Sequence, residues 1–136
     1  MNSWVRFKIE KTNEYKQRIF GWALISRDKD GNEVYDSQGD NIDPDELEEA
    51  AYDFVHNSGK LGINHKGKKD KGYLIESIVT TIDKQTAMGI PENTIPIGLW
   101  LGFQVTDDET WLSILAGDLN DFSIEGTAIR VEVDDE

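Results

Sequence analysis

Residues 95–105 read "IPIGLWLGFQV". The run has no charged residue and mixes β-branched and aromatic side chains, the composition of a strand rather than of an amphipathic helix. Gly98 and Gly102 stand inside it. A glycine within an aromatic strand suits a sharp barrel corner or a close backbone contact.

Working outward, further strand-like runs appear. "SWVRFKIEK" (3–11) alternates, and "QRIFGWALIS" (17–26) is more continuously apolar, with "NEY" suited to a turn between them. Leu61–His65, Gly72–Ile82 and Asp121–Val133 complete the set, with a short strand expected at Glu33–Tyr35 inside a polar, Gly-containing loop. Two helices are marked. Asp43-Pro44-Asp45-Glu46 supplies an N-cap acid, a first-turn proline and a box glutamate. Leu47, Ala50, Ala51, Phe54 and Val55 follow as one stripe, with Gly59 as terminator. The second helix is expected to start at Thr106 with Glu109 as its box partner, to pack Trp111, Ile114 and Leu115, and to stop at Gly117. A helical turn is expected around Asp83–Met88.

Strands outnumber helices and do not alternate with them, which disfavours a doubly wound parallel sheet. The expectation is a mainly β, α+β fold: a small, mostly antiparallel barrel with about two main helices outside, as a single domain over residues 1–136.

The composition narrows the function. The net charge is −13 in 136 residues, which argues against nucleic acid as a general partner. No apolar run approaches 18 residues, so no membrane span is expected. The chain has no cysteine, hence no disulfide framework and no thiolate metal site, and an intracellular setting is the simplest reading. "KLGINHKGKKDK" (60–71) is a basic exception, read either as a solvated loop or as a lip that attracts acidic peptide segments.

The chain has two histidines. His56 falls near the end of the first helix, where a cation suits the terminal carbonyls and a structural role is favoured. His65 ends an apolar run at the edge of the basic loop, a place where functional groups are often presented. In "DFSIEGTAIR" (121–130), Phe122, Ile124 and Ala128 fit one strand face, and Ser123, Glu125 and Thr127 the other. A serine needs an adjacent base to act as a nucleophile, and no G-x-S-x-G element surrounds Ser123. "SRDKDGNEVYDS" (26–37) has acids at Asp28 and Asp30, but Ser26 and Ser37 stand where a calcium loop wants its first and last carboxylates. Asp36 and Asp40 are a carboxylate pair of the kind that does acid/base work, and Asp and Gly there are also standard turn chemistry. No metal or cofactor is expected, and residue pattern alone leaves a Ser/His hydrolase as one reading among several.

Taken in order, "FGWALISRDKDGNEVYDSQGDNIDPDELEEAAYDFV", the lone His65, "GYLIESIVTT", "GIPENTIPIGLWLGFQVTDDETW" and "GDLNDFSIEGTAIR" resemble the XkdF-like serine proteases of tailed phages and prophages. These are a branch of the prohead (capsid maturation) proteases. The resemblance implies the herpesvirus assemblin-like fold, a β-barrel ringed by helices. It places the family serine, in its F-S-I context, on Ser123 and the family histidine on His65. It implies an endopeptidase that cuts scaffold and major capsid protein inside the assembling prohead, in the cytoplasm of the bacterial host, with self-association a feature of related enzymes. No histidine follows Ser123, where assemblins carry their third member, so Glu76 and Glu125 are the candidates to orient the imidazole. The amide of Gly126 is the oxyanion candidate. The alternative is a non-catalytic capsid-assembly module of the same fold that binds scaffold peptides.

Overall fold

A computed structural model describes residues 5–13, 15–35, 39–57, 60–62, 71–116 and 121–125. The chain runs β1 (Val5–Lys8), β2 (Lys11–Asn13), β3 (Arg18–Arg27), α1 (Pro44–Asn57), β4 (Lys60–Gly62), β5 (Gly72–Val79), α2 (Ile82–Ala87), β6 (Ile97–Val105), α3 (Asp108–Leu115) and β7 (Asp121–Glu125). Among the described residues the strands form one sheet in the order β1-β7-β4-β5-β6-β3-β2. Every pairing in it is antiparallel.

That order has a geometric consequence. The strands at its two ends, β1 and β2, are separated in the chain only by Ile9 and Glu10. In a flat sheet, six strand spacings would hold them about 29 Å apart. The three Cα steps from Lys8 to Lys11 span at most about 11 Å. The sheet must therefore curl until its two edges approach, and one nearly continuous segment serves both, pairing first with β7 and then with β3. The Glu10 amide extends the second ladder by donating to the Phe20 carbonyl (2.7 Å). The antiparallel α+β architecture matches the expectation. The ladder itself is open, so it does not establish the closed barrel.

The centre of the sheet is the apolar stretch with the two internal glycines. β6 lies between β3 and β5, and its Leu99, Leu101, Phe103 and Val105 are buried. Its glycines answer close approaches, as expected. A Cβ on Gly98 would stand 2.6 Å from the Leu24 carbonyl oxygen, and one on Gly102 would stand 2.8 Å from the Phe20 ring. Bulges at Trp22/Leu24, Ile25/Arg27 and Leu74/Glu76 interrupt the ladders beside β6 and add local twist.

Helix α1 buries Leu47, Ala51 and Phe54 in one core with Ile19, Ala23, Val79 and the apolar residues of β6. Full burial of side chains such as Phe54 and Leu47 is worth about 1.5–3 kcal/mol each. Val55, expected on this stripe, is instead exposed, because the helix meets the sheet along the narrower row of i, i+4 and i+7. At the start of α1 the Asp43 carboxylate accepts from the Asp45 amide (3.1 Å), and the Asp43 carbonyl accepts from Leu47 (2.9 Å).

Helix α3 begins one residue later than expected. Asp107, not Thr106, is its N-cap, and its carboxylate accepts both the amide (3.0 Å) and the hydroxyl (2.6 Å) of Thr110. Trp111 and Ile114 are buried while Leu115 is exposed. The turn near Asp83 is a true short helix, α2, tied to α1 by Lys84 Nζ on Glu48 Oε2 (2.7 Å). The expected strand at Glu33–Tyr35 reduces to a single bridge, Arg27 with Glu33.

Candidate active site

Ser123 lies at the middle of β7, and β7 is held between β1 and β4. In the ladders Ser123 is the Cα partner of Arg6 on one side and of Gly62 on the other. The next row runs Val5–Ile124–Leu61–Gly72–Val105 across five strands. It anchors β7 to the buried end of β6, where Val105 is 1% exposed. Placement of Ser123 thus rests on the ordinary pairing of an apolar row, one residue away.

His65, Gly126, Asp36, Ser37 and the terminator glycines Gly59 and Gly117 lie outside the described residues. Gly62, directly opposite Ser123, precedes His65 by three residues in the sequence. Gly62 and Ser123, far apart in the chain, are made cross-strand partners by the β4–β7 ladder.

The two candidate carboxylates occupy different places. Glu125 is on β7 itself, two residues past Ser123, and pairs in register with Lys60. Glu76 is exposed on β5, opposite Gly102 at a bulge. Gly72 shares the Ile124 row, Glu76 lies four positions beyond it, and Ser123 lies one position the other way. Glu76 is therefore displaced from the Ser123 row by roughly 15 Å along the strand direction.

The other sequence candidates resolve into structural roles. The Asp28 carboxylate accepts from the Asp30 (2.9 Å) and Asn32 (3.0 Å) amides, with Gly31 at φ +90°, so it organises its own turn. Those amide bonds, that from Asn32 above all, hold its pKa below the usual value. The following loop is pinned to β3. The Ser26 hydroxyl donates to the Ile42 carbonyl (2.5 Å), and Asn41 Nδ2 donates to the carbonyls of Ser26 (2.9 Å) and Val34 (2.7 Å). Among the described residues no group of His and acidic side chains is arranged to hold a metal ion. His56 is exposed in the last turn of α1, beside a shallow groove with Glu49, Tyr52 and Asp53. Among the described residues no helix is long and apolar enough to cross a membrane.

Arg6 and Gly62 carry no local motif. They are site neighbours by register alone, and only strand pairing reveals them.

The fold is a curled antiparallel sheet with Ser123 on a strand held between two others, and comparison with known proteins gives the family. Residues 8–132 match the family model described as "Putative phage serine protease XkdF". The chain belongs to that family, a phage serine protease family by its description. It is 32% identical over 96 residues to the Phage-like element PBSX protein XkdF of Bacillus subtilis (strain 168), covering 71% of this chain and 34% of that protein. It is 27% identical over 100 residues to the Uncharacterized protein YqbD of the same organism, covering 74% of this chain and 30% of that one. The chain thus spans about a third of the length of these curated relatives. No solved structure matches.

Proposed function

We propose that this chain is a phage serine endopeptidase domain in which Ser123 is the nucleophile and His65 its general base. One observation carries the reading. The β4–β7 ladder sets Gly62 opposite Ser123, and His65 follows Gly62 by three residues in the sequence. Family membership supports the chemistry at the level of a serine protease.

In this reading Ser123 Oγ attacks the peptide carbonyl while His65 takes its proton. The same imidazole then returns the proton to the leaving amine, and water releases the acyl group by the reverse sequence. Glu125, on the strand of Ser123, is preferred over Glu76 as the carboxylate that orients the imidazole, and the Gly126 amide is proposed for the oxyanion. The substrates proposed are scaffold and capsid-protein segments, cut within the assembling prohead in the bacterial host. The curled sheet is proposed to form the assemblin-like barrel, with self-association as in related enzymes. No cofactor enters this chemistry.

The test is intact mass after treatment with an alkyl fluorophosphonate, in which the Ser123 Oγ–P bond forms and fluoride leaves. A single adduct on the wild type, absent from Ser123→Ala and His65→Ala, is the expected result. An unlabelled wild type, also at high protein concentration, would instead favour a non-catalytic module that binds scaffold peptides.

A further inference from the structure

Two routes join the strand of Ser123 to the centre of the sheet. On one side β4 ties it to β5, and among the described residues β4 meets β5 only at Lys60–Tyr73 and Leu61–Gly72. The central ladders are far longer. β3–β6 runs from Arg18–Gln104 to Arg27–Ile97, and β5–β6 from Gly72–Val105 to Val79–Leu99. On its other side β7 pairs with β1, which leads through Ile9 and Glu10 into β2 at the opposite edge.

This second route carries a latch. Ile9 is half-buried and packs against the core of α1, β3, β5 and β6. Glu10, the next residue, donates its amide to the Phe20 carbonyl (2.7 Å), at the point where the chain passes from the β7 ladder to the β3 ladder. The Glu10 side chain is exposed, so its backbone rather than its carboxylate makes the joint. Strands held by short ladders open locally before those held by long ones, because opening breaks fewer hydrogen bonds. On that ground β7 and its flanks are the part of the sheet to open first, and the latch is what resists it.

We infer that residues 5–13 are a strap that switches the Ser123 site: β7 keeps its place while the Ile9–Glu10 latch is seated, and release of the latch opens β7 with β3, β5 and β6 still folded. The inference rests on the serine-protease reading above for the chemistry of the site and names how that site is regulated. Seated and released forms are two states of one chain, so whatever favours the released form silences the serine without unfolding the core.

The experiment is amide hydrogen exchange by mass spectrometry on the full chain, comparing segment 121–125 with segment 97–105. Glu10→Pro removes the latch donor, and Glu10→Ala keeps it. Exchange over 121–125 is expected to quicken about tenfold in Glu10→Pro, the scale of one hydrogen bond, with 97–105 unchanged and Glu10→Ala like the wild type. Ile9→Ala, which loosens the latch through its side chain, should also quicken 121–125 more than 97–105. Labelling of Ser123 by the alkyl fluorophosphonate should be lost in urea before 97–105 loses protection, and at lower urea in Glu10→Pro than in Glu10→Ala. Equal acceleration of both segments in Glu10→Pro and in Ile9→Ala would overturn the strap and make the sheet one cooperative unit. So would unchanged exchange over 121–125 in both variants, which would mean that the latch does not hold β7. Labelling lost only together with the protection of 97–105 would overturn the switch. A wild type that takes no label would overturn the serine-hydrolase reading, while the exchange comparison would still decide the strap.

Discussion

Gly62 and Ser123 are cross-strand partners on β4 and β7, and Gly62 stands three residues before His65. The pairing gives the proposed nucleophile a cross-strand partner without a side chain. Gly62→Val is expected to fold, since valine suits a strand. Its β-branched side chain would add bulk in the row of Ser123, and labelling by the alkyl fluorophosphonate should fall about tenfold or more, as small displacements of reacting groups do. Unchanged labelling in a natively stable variant would show that this neighbour has no bearing on the serine.

Gly98→Ala places a Cβ 2.6 Å from the Leu24 carbonyl oxygen, at backbone that has little room to shift. Overpacking at the centre of the sheet is expected to cost about 1–3 kcal/mol, read from urea unfolding midpoints at constant m-value. Wild-type stability would mean that β3 and β6 separate more easily than their ladder suggests.

Asp107→Ala removes the acceptor for the Thr110 amide and hydroxyl and the partner of Lys71 (3.8 Å). Loss of an N-cap of this kind costs about 1 kcal/mol. Asp107→Asn should recover most of it, because an amide oxygen still caps the helix. If alanine and asparagine behaved alike, the cap would carry little of the stability of α3.

The Glu48–Lys84 pair gives a pH signature. Hydrogen bonds from Lys84 and then Tyr52 lower the Glu48 pKa below its usual 4.5. For Lys84, burial acts downward, but the bonds to Glu48 and Tyr52 outweigh it and leave its pKa raised above 10.5. Glu48 therefore contributes stability that is present above pH 4.5 and is lost as pH falls through its depressed folded value. Lys84 contributes stability present below pH 10.5 and lost as pH rises through its raised value. Both side chains keep partial solvent contact, so Glu48→Gln should cost about 0.5–1 kcal/mol at pH 7. Thermal melts of both proteins should converge as the pH is lowered through 4 toward 3. A constant gap across that range would assign the stability to packing rather than charge.

Local chemistry carries much of this fold. The apolar stripe Leu47–Ala51–Phe54 has helical period, and the glycines of 95–105 interrupt a run too apolar for the surface, so a helix, a central strand and its close approaches are legible in the amino-acid sequence. The departures from that reading are local as well. Asp107 displaces Thr106 as the cap because both precede the same helix and the carboxylate reaches the Thr110 amide. Val55 and Leu115 share the period of the core residues yet lie exposed, because periodicity identifies a face but not the width of what covers it.

What the sequence by itself determined is the family, and with it the two residues, Ser123 and His65, proposed for the chemistry. Only the tertiary structure decided which residues lie across from Ser123. Strand pairing is a non-local choice, so nothing in the chain near Ser123 announces Arg6 or Gly62, and nothing near Glu76 announces its distance from the serine. The curl of the sheet has the same origin. It follows from Ile9 and Glu10 having to join the two ends of a seven-strand order, a constraint that exists only once the order is known.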